Sequence, residues 1–382
     1  MAARANATQA TTWPAMAKRP EPLARDAVKL VKGQFNSARA CGACHEAIFD
    51  KWAGSMHATS YTDPTFLSAF YKAYYESQGT AGPTCLRCHA PTTQVTKDVY
   101  GTQEITQEGV TCDFCHSLSG APNKTDGRHD IDWSAKHGPY KQTNSPEHAV
   151  AFSATFESSE ICAGCHDYVL PDGTVVFATY SEWKATRYAQ EGVQCHKCHM
   201  PRLPGRTVRA DVDGKSHDVY NDHQLLGGHE SSQVQRAVTL RVESVTRDAT
   251  RVHAVVSLEN SGAGHYVPTG IPSRKLVLNV TATQRSRTVF QRSIVYQRVM
   301  QGADGKPLTE DWAIKLHSKQ VLRDNRLAPN EVRRETFVFD ASQAEDVQIS
   351  AKLAYVYDPG NAANFHIELV MAGADRVLER GL

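Results

Sequence analysis

The chain has 382 residues, enough for two domains that each bury a core of their own. Its 42 basic and 41 acidic side chains leave a formal charge of +1, so no polybasic surface points to nucleic acid or anionic lipid. No run of residues approaches a membrane span, and residues 1–40 hold no apolar core of signal-peptide length. We therefore expect a targeting segment to lie outside this sequence.

Residues 1–40 are Ala-rich, polar and punctuated by Pro14, Pro20 and Pro22, which predicts an arm rather than a core element. From residue 41 the pattern changes. Five copies of Cys-x-x-Cys-His follow, and together they use all ten cysteines: Cys41, Cys44 and His45; Cys85, Cys88 and His89; Cys112, Cys115 and His116; Cys162, Cys165 and His166; Cys195, Cys198 and His199. A Cys-x-x-Cys pair is also half of a zinc ribbon or a thioredoxin-like redox pair, but neither requires a histidine directly after the second cysteine. With 17 histidines in the chain, meeting one there five times in five has a chance of about one in several million. The spacing predicts five covalently attached haem c groups, each with two thioethers and a histidine as axial ligand. Thioether formation needs reduced thiols and runs outside the cytoplasmic membrane, so a periplasmic or extracellular location is expected. With every cysteine engaged, no disulfide is left to support the fold. Five porphyrins would add about ten propionate charges and make the loaded protein acidic.

The five motifs crowd between Cys41 and Met200, too closely for the polypeptide to separate their cofactors. Porphyrin faces should supply much of the core there, framed by short helices and loops. One helix is predicted from Asp63 as N-cap and Pro64 at its first position, with Phe66, Phe70 and Tyr74 on one face, stopping by Gly79. Another is predicted from Ser181 through Trp183 to just before Gly192. An internal repeat is visible as well. Residues 41–91 run from a motif through Trp52 and His57 to a second motif ending Cys-His-Ala-Pro, and residues 162–201 run likewise through Trp183 and Tyr188 to Cys-His-Met-Pro. The third motif lies between these stretches and shares Glu-Gly-Val (Glu108 to Val110) with the fifth (Glu191 to Val193). The domain expectation is an arm over 1–40, a pentahaem cytochrome domain over 41–230 built of helices and loops, and an all-β immunoglobulin-like sandwich over 231–382. The last rests on alternating apolar residues at Val238, Leu240 and Val242, and in the stretches 252–258, 276–280, 337–339, 353–357 and 365–369.

The motif histidines fill one face of each iron. Removing those five from 17 leaves twelve histidines, whereas only Met56 and Met200 among the methionines lie in the motif region. Bis-histidine ligation is therefore expected, which lowers the potential and closes the iron to small ligands. The candidate distal ligands are His57, His137, His148, His223 and His265. His57 follows the helix after the first motif. His137 and His148 sit on an irregular stretch between the third and fourth, and His223 lies beside the paired glycines before His229. His265 stands on a Gly- and Pro-rich loop between two predicted strands. Tyr188 takes the place of His57 in the second stretch.

The segments around Trp52 to His57, Ser145 to His148, Val193 to Pro201, and Gly264 to Gly270 resemble the multihaem cytochromes c related to the tetrahaem electron carrier of ammonia oxidation. That resemblance implies stacked haem pairs, mainly bis-His irons, and electron carriage to redox proteins or an external acceptor. Its distal histidines map onto His57, His148, His223 and His265, with His137 less secure. The leading expectation is thus an electron carrier with no catalytic side chain, served by redox protein partners. The alternatives are a multihaem oxidoreductase with one open iron acting on small nitrogen or sulfur compounds, for which Tyr188 is the motivating residue, and a subunit of an extracellular cytochrome filament or other homo-oligomer.

Overall fold

The computed structural model describes residues 19–121, 128–141, 143–248, 251–360 and 366–380. Residues 1–18 of the expected arm, and Phe365 at the head of the last expected strand, lie outside the described residues. The described residues divide into two compact units, one formed by residues 19–227 with Glu310–Gln320, the other by Gly228–Thr309 and residues 321–380.

The first unit carries all five motifs on short helices. Its longest helix is Pro64–Glu76, where the Asp63 side chain accepts from the Phe66 amide at 2.9 Å and Pro64 fills the first turn, as its local sequence predicts. The predicted helix from Ser181 is two pieces, Thr179–Lys184 and Arg187–Gln190. Thr186 takes extended backbone between them. The first piece starts before Ser181 because buried Asp167 accepts from the amides of Tyr180 and Ser181 at 2.9 and 3.1 Å, a cap supplied from another element. Small clusters such as Ala38, Phe49, Trp52, Ala53 and Ala58 replace a single large core. Among the described residues no helix is long and apolar enough to cross a membrane.

The second unit is β-rich. One sheet orders the antiparallel strands Arg287–Tyr296, Arg274–Gln284, Val347–Tyr357 and Ile367–Leu378; another orders Val332–Asp340, Arg251–Glu259 and Thr239–Asp248. Along Arg274–Gln284 the residues Leu276, Leu278, Val280 and Ala282 are all fully buried while their neighbours are not, the period-two pattern of a strand with one face on a core. Val252, Ala254, Val256 and Leu258 repeat it in the other sheet, and both sets belong to one continuous apolar cluster. The strand Arg287–Tyr296 has no such alternation, and the sequence reading missed it.

Candidate functional site

Four motifs lie on short helices, Gly82–His89, Cys112–His116, Glu160–His166 and Cys195–His199, and the first runs from the end of Ala38–Gly42 to His45, which caps Glu46–Ala53. One helical turn brings the two cysteines and the histidine to the same side, which suits attachment to one flat ring. The cysteines are free thiols in the polypeptide.

Four motif histidines are oriented in the same manner. Nδ1 of His45 donates to the Thr207 carbonyl at 2.7 Å, that of His89 to Ser60 at 3.0 Å, that of His116 to His137 at 2.5 Å, and that of His199 to Leu226 at 2.5 Å. A carbonyl only accepts, so the proton sits on Nδ1 and Nε2 presents its lone pair, the arrangement a metal-bound histidine needs. Aromatic rings fix two of the imidazoles further: Phe66 stacks on His89 at 3.9 Å and Phe156 on His116 at 5.1 Å. Burial holds His45 below the usual histidine range and His116 at about 4, so both are neutral near pH 7, the form that ligates iron.

Three motif histidines, His45, His116 and His166, face a second histidine. His45 and His148 have ring centroids 6.3 Å apart, His166 and His57 6.3 Å, and His116 and His223 6.4 Å. Two imidazoles bound to opposite faces of one metal ion, at about 2.0–2.1 Å per bond and about 1.15 Å from nitrogen to ring centre, put their centroids about 6.3 Å apart. The residues present thus fit haem iron, and the fit comes from donor chemistry and spacing together. His223 is half-buried, held neutral by desolvation, and donates Nδ1 to the Asn221 carbonyl at 2.6 Å. His137 is placed otherwise. Its carbonyl supports His116, and its Nε2 bonds Asp132 at 3.0 Å. His265 lies in the β-rich unit, where its Nδ1 donates to the Tyr266 carbonyl at 2.8 Å and its own carbonyl accepts from Asn260. A bare zinc site would need several converging ligands; among the described residues no three His, Cys, Asp or Glu side chains form such a group.

The thiols also show which motifs adjoin. Cys41 is within hydrogen-bonding reach of Cys112, Cys162 of Cys195, and Cys88 of Cys165; Cys115 interacts electrostatically with both Cys162 and Cys165. The spatial order is first, third, fourth, with the second and fifth both against the fourth. Cys198 of the fifth motif is the exposed cysteine.

The same contacts revise the internal repeat. Trp52 Nε1 donates to the Val110 carbonyl and Trp183 Nε1 to the Val193 carbonyl, each at 2.9 Å. The Val110 amide donates to the His57 carbonyl at 2.9 Å and the Val193 amide to Tyr188 at 2.8 Å, so Tyr188 does stand where His57 stands. The duplicated unit is therefore first plus third motif against fourth plus fifth, and the second motif arrives on an insertion between His57 and Glu108. The likeness of the endings after His89 and His199 has a local cause. Ala90 and Met200 terminate their helices with nearly the same backbone angles, φ/ψ of −150°/68° and −137°/58°, ahead of a proline.

Gly109 and Gly192, matched in the repeat, both take positive φ, 63° and 73°. A Cβ on Gly109 would lie 2.5 Å from the His57 carbonyl oxygen, whereas one on Gly192 would meet nothing within 4 Å. Gly192→Ala should cost about 1 kcal/mol from backbone strain alone, and Gly109→Ala about 1–3 kcal/mol. Thermal unfolding of the two variants checks that order; equal losses would contradict the close approach at Gly109.

Residues 40–117 match the family model described as cytochrome c554 and c-prime. The structure shares its fold with a penta-heme cytochrome c552 from Thermochromatium tepidum, at a TM-score of 0.71 and 21% identity over 90% of this chain and 99% of that one. A β-glucosidase from Kluyveromyces marxianus aligns at a TM-score of 0.18 and 6% identity, over 38% of this chain and 14% of that one, which carries no argument. No curated protein sequence matches. The family-model match and the shared fold, added to the motifs, support a multihaem c-type cytochrome.

Proposed function

We propose that this chain is a pentahaem electron-transfer cytochrome, working in the periplasm or outside the cell and exchanging electrons with redox protein partners. The observation that carries this reading is the set of three opposed histidine pairs, which supports irons closed on both faces. In it, haem is held through the ten motif cysteines, with His45, His89, His116, His166 and His199 as proximal ligands. His148 is assigned to the first haem, His223 to the third and His57 to the fourth. When bound, haem supplies one-electron redox chemistry. The polypeptide holds the imidazoles of His45, His116 and His223 neutral, orients motif histidines through their Nδ1 hydrogen bonds and keeps neighbouring attachment sites in contact. The contact order supports a route that runs from the first through the third to the fourth site and branches there to the second and fifth. The β-rich unit is read as an immunoglobulin-like sandwich, on its two antiparallel sheets sharing one core.

Tyr188 in the structural place of His57 keeps one other reading in view, an oxidoreductase with an open iron. Carbon monoxide separates the two. The reduced electron carrier should keep a six-coordinate spectrum at its bis-His irons under carbon monoxide. Carbon monoxide binding to a stoichiometric fraction of the reduced iron, one haem equivalent, would overturn the electron-carrier reading in favour of the oxidoreductase.

A further inference from the structure

The helix Asp311–His317 belongs to the motif unit although the sequence on both sides of Glu310–Gln320 belongs to the β-rich one. Ion pairs fasten this excursion at both ends, Lys72 with Glu310 at 2.5 Å and Lys319 with Asp172 at 2.9 Å, and the helix buries its own Ile314. What the helix delivers is Lys315. Its Nζ lies 2.9 Å from the centre of the Tyr168 ring and 5.2 Å from that of Phe177, two residues paired across adjacent strands just after the fourth motif. The other groups acting on it are the thiols of Cys88, Cys85 and Cys165, with Arg87 opposing. Among the described residues no carboxylate pairs with it.

A half-buried ammonium against aromatic faces, with no anion from its own chain, is costly unless something else supplies negative charge. Burial draws this lysine below its usual range and holds Tyr168 up at about 12, which marks the surroundings as poorly solvated. The site sits where the second motif meets the fourth, against both cysteines of the second.

We propose that Lys315 is a positioning residue for charge: a fixed cation that raises the reduction potential of the second haem and makes that arm of the branch the place where an electron settles. This rests on the haem reading above. The step is the one-electron reduction of ferric to ferrous iron, with the electron supplied by the neighbouring fourth haem or by a redox protein, and no bond or proton transferred. A cation beside the porphyrin in a poorly screened site stabilises the added negative charge.

The test is spectroelectrochemical titration of the haem-loaded full chain beside Lys315→Met and Lys315→Arg. The expected result is a negative shift of one midpoint in Lys315→Met, with at most a smaller shift at a second haem, the others unmoved, and wild-type behaviour in Lys315→Arg. A Lys315→Met titration that superimposes on wild type at full haem content overturns the proposal. So does a uniform shift of every haem that Lys315→Arg shares, since that marks a packing role. If Lys315→Met fails to retain haem, Lys315→Gln is read by the same criteria. A wild-type chain without any haem redox wave sinks both this inference and the functional reading, whereas an unmoved midpoint sinks this inference alone.

Discussion

Replacing His148, His57 or His223 by glycine, one at a time, is expected to turn one haem equivalent from low-spin to high-spin and to open it to carbon monoxide. The effect follows from geometry: each ring stands 6.3–6.4 Å from a motif histidine. Low-temperature magnetic resonance should show one low-spin signal lost and one high-spin signal gained per variant, with exogenous imidazole restoring the first. The pairing is tested by combination. Removing the fourth motif's thiols together with His57 should add no high-spin iron to the wild-type set, whereas removing them together with His148 should add one. His137→Gly is expected to keep the full low-spin set, because its ring nitrogen is engaged by Asp132 and only its carbonyl serves His116. A His137→Gly protein with a new high-spin haem would contradict the assignment of the third iron to His223.

The second large effect is expected at the branch. Cys162→Ser with Cys165→Ser removes the fourth attachment site, the one in contact with the second, third and fifth. Reduction of the remaining haems by a donor mixed rapidly with the protein should split into two phases, the slower retarded at least about tenfold, an added barrier of about 1.4 kcal/mol. Cys195→Ser with Cys198→Ser removes a terminal site and should leave a single fast phase with one haem fewer. Uniform wild-type kinetics in the first variant would show that the fourth site is not the junction.

What could be read from the sequence was what is local. Cys-x-x-Cys-His is contiguous, and one helical turn suffices to bring its three groups together. Asp63 and Pro64 start their helix by contacts within one turn, and the buried alternation of Leu276 to Ala282 is written residue by residue. The histidines that face motif histidines were legible as a list, since His57, His148 and His223 were all candidates, but not as pairs. His57 faces His166 across a long stretch of chain although it follows the first motif, and only the tertiary fold decides that. The repeat misled for a related reason. Matching helix endings at Ala90 and Met200 are short-range features, while the Trp52-to-Val110 hydrogen bond, the counterpart of Trp183 to Val193, spans an insertion. Lys315 gave no signal at all. A lysine on a short helix reads as a solvated surface group until the helix is seen to belong to the motif unit.

The most direct test of the whole account is the intact mass of the chain produced in a host that matures c-type cytochromes. The account predicts the polypeptide mass plus five haems, unchanged by denaturation because each is held by thioethers. A bare chain mass under those conditions would contradict it.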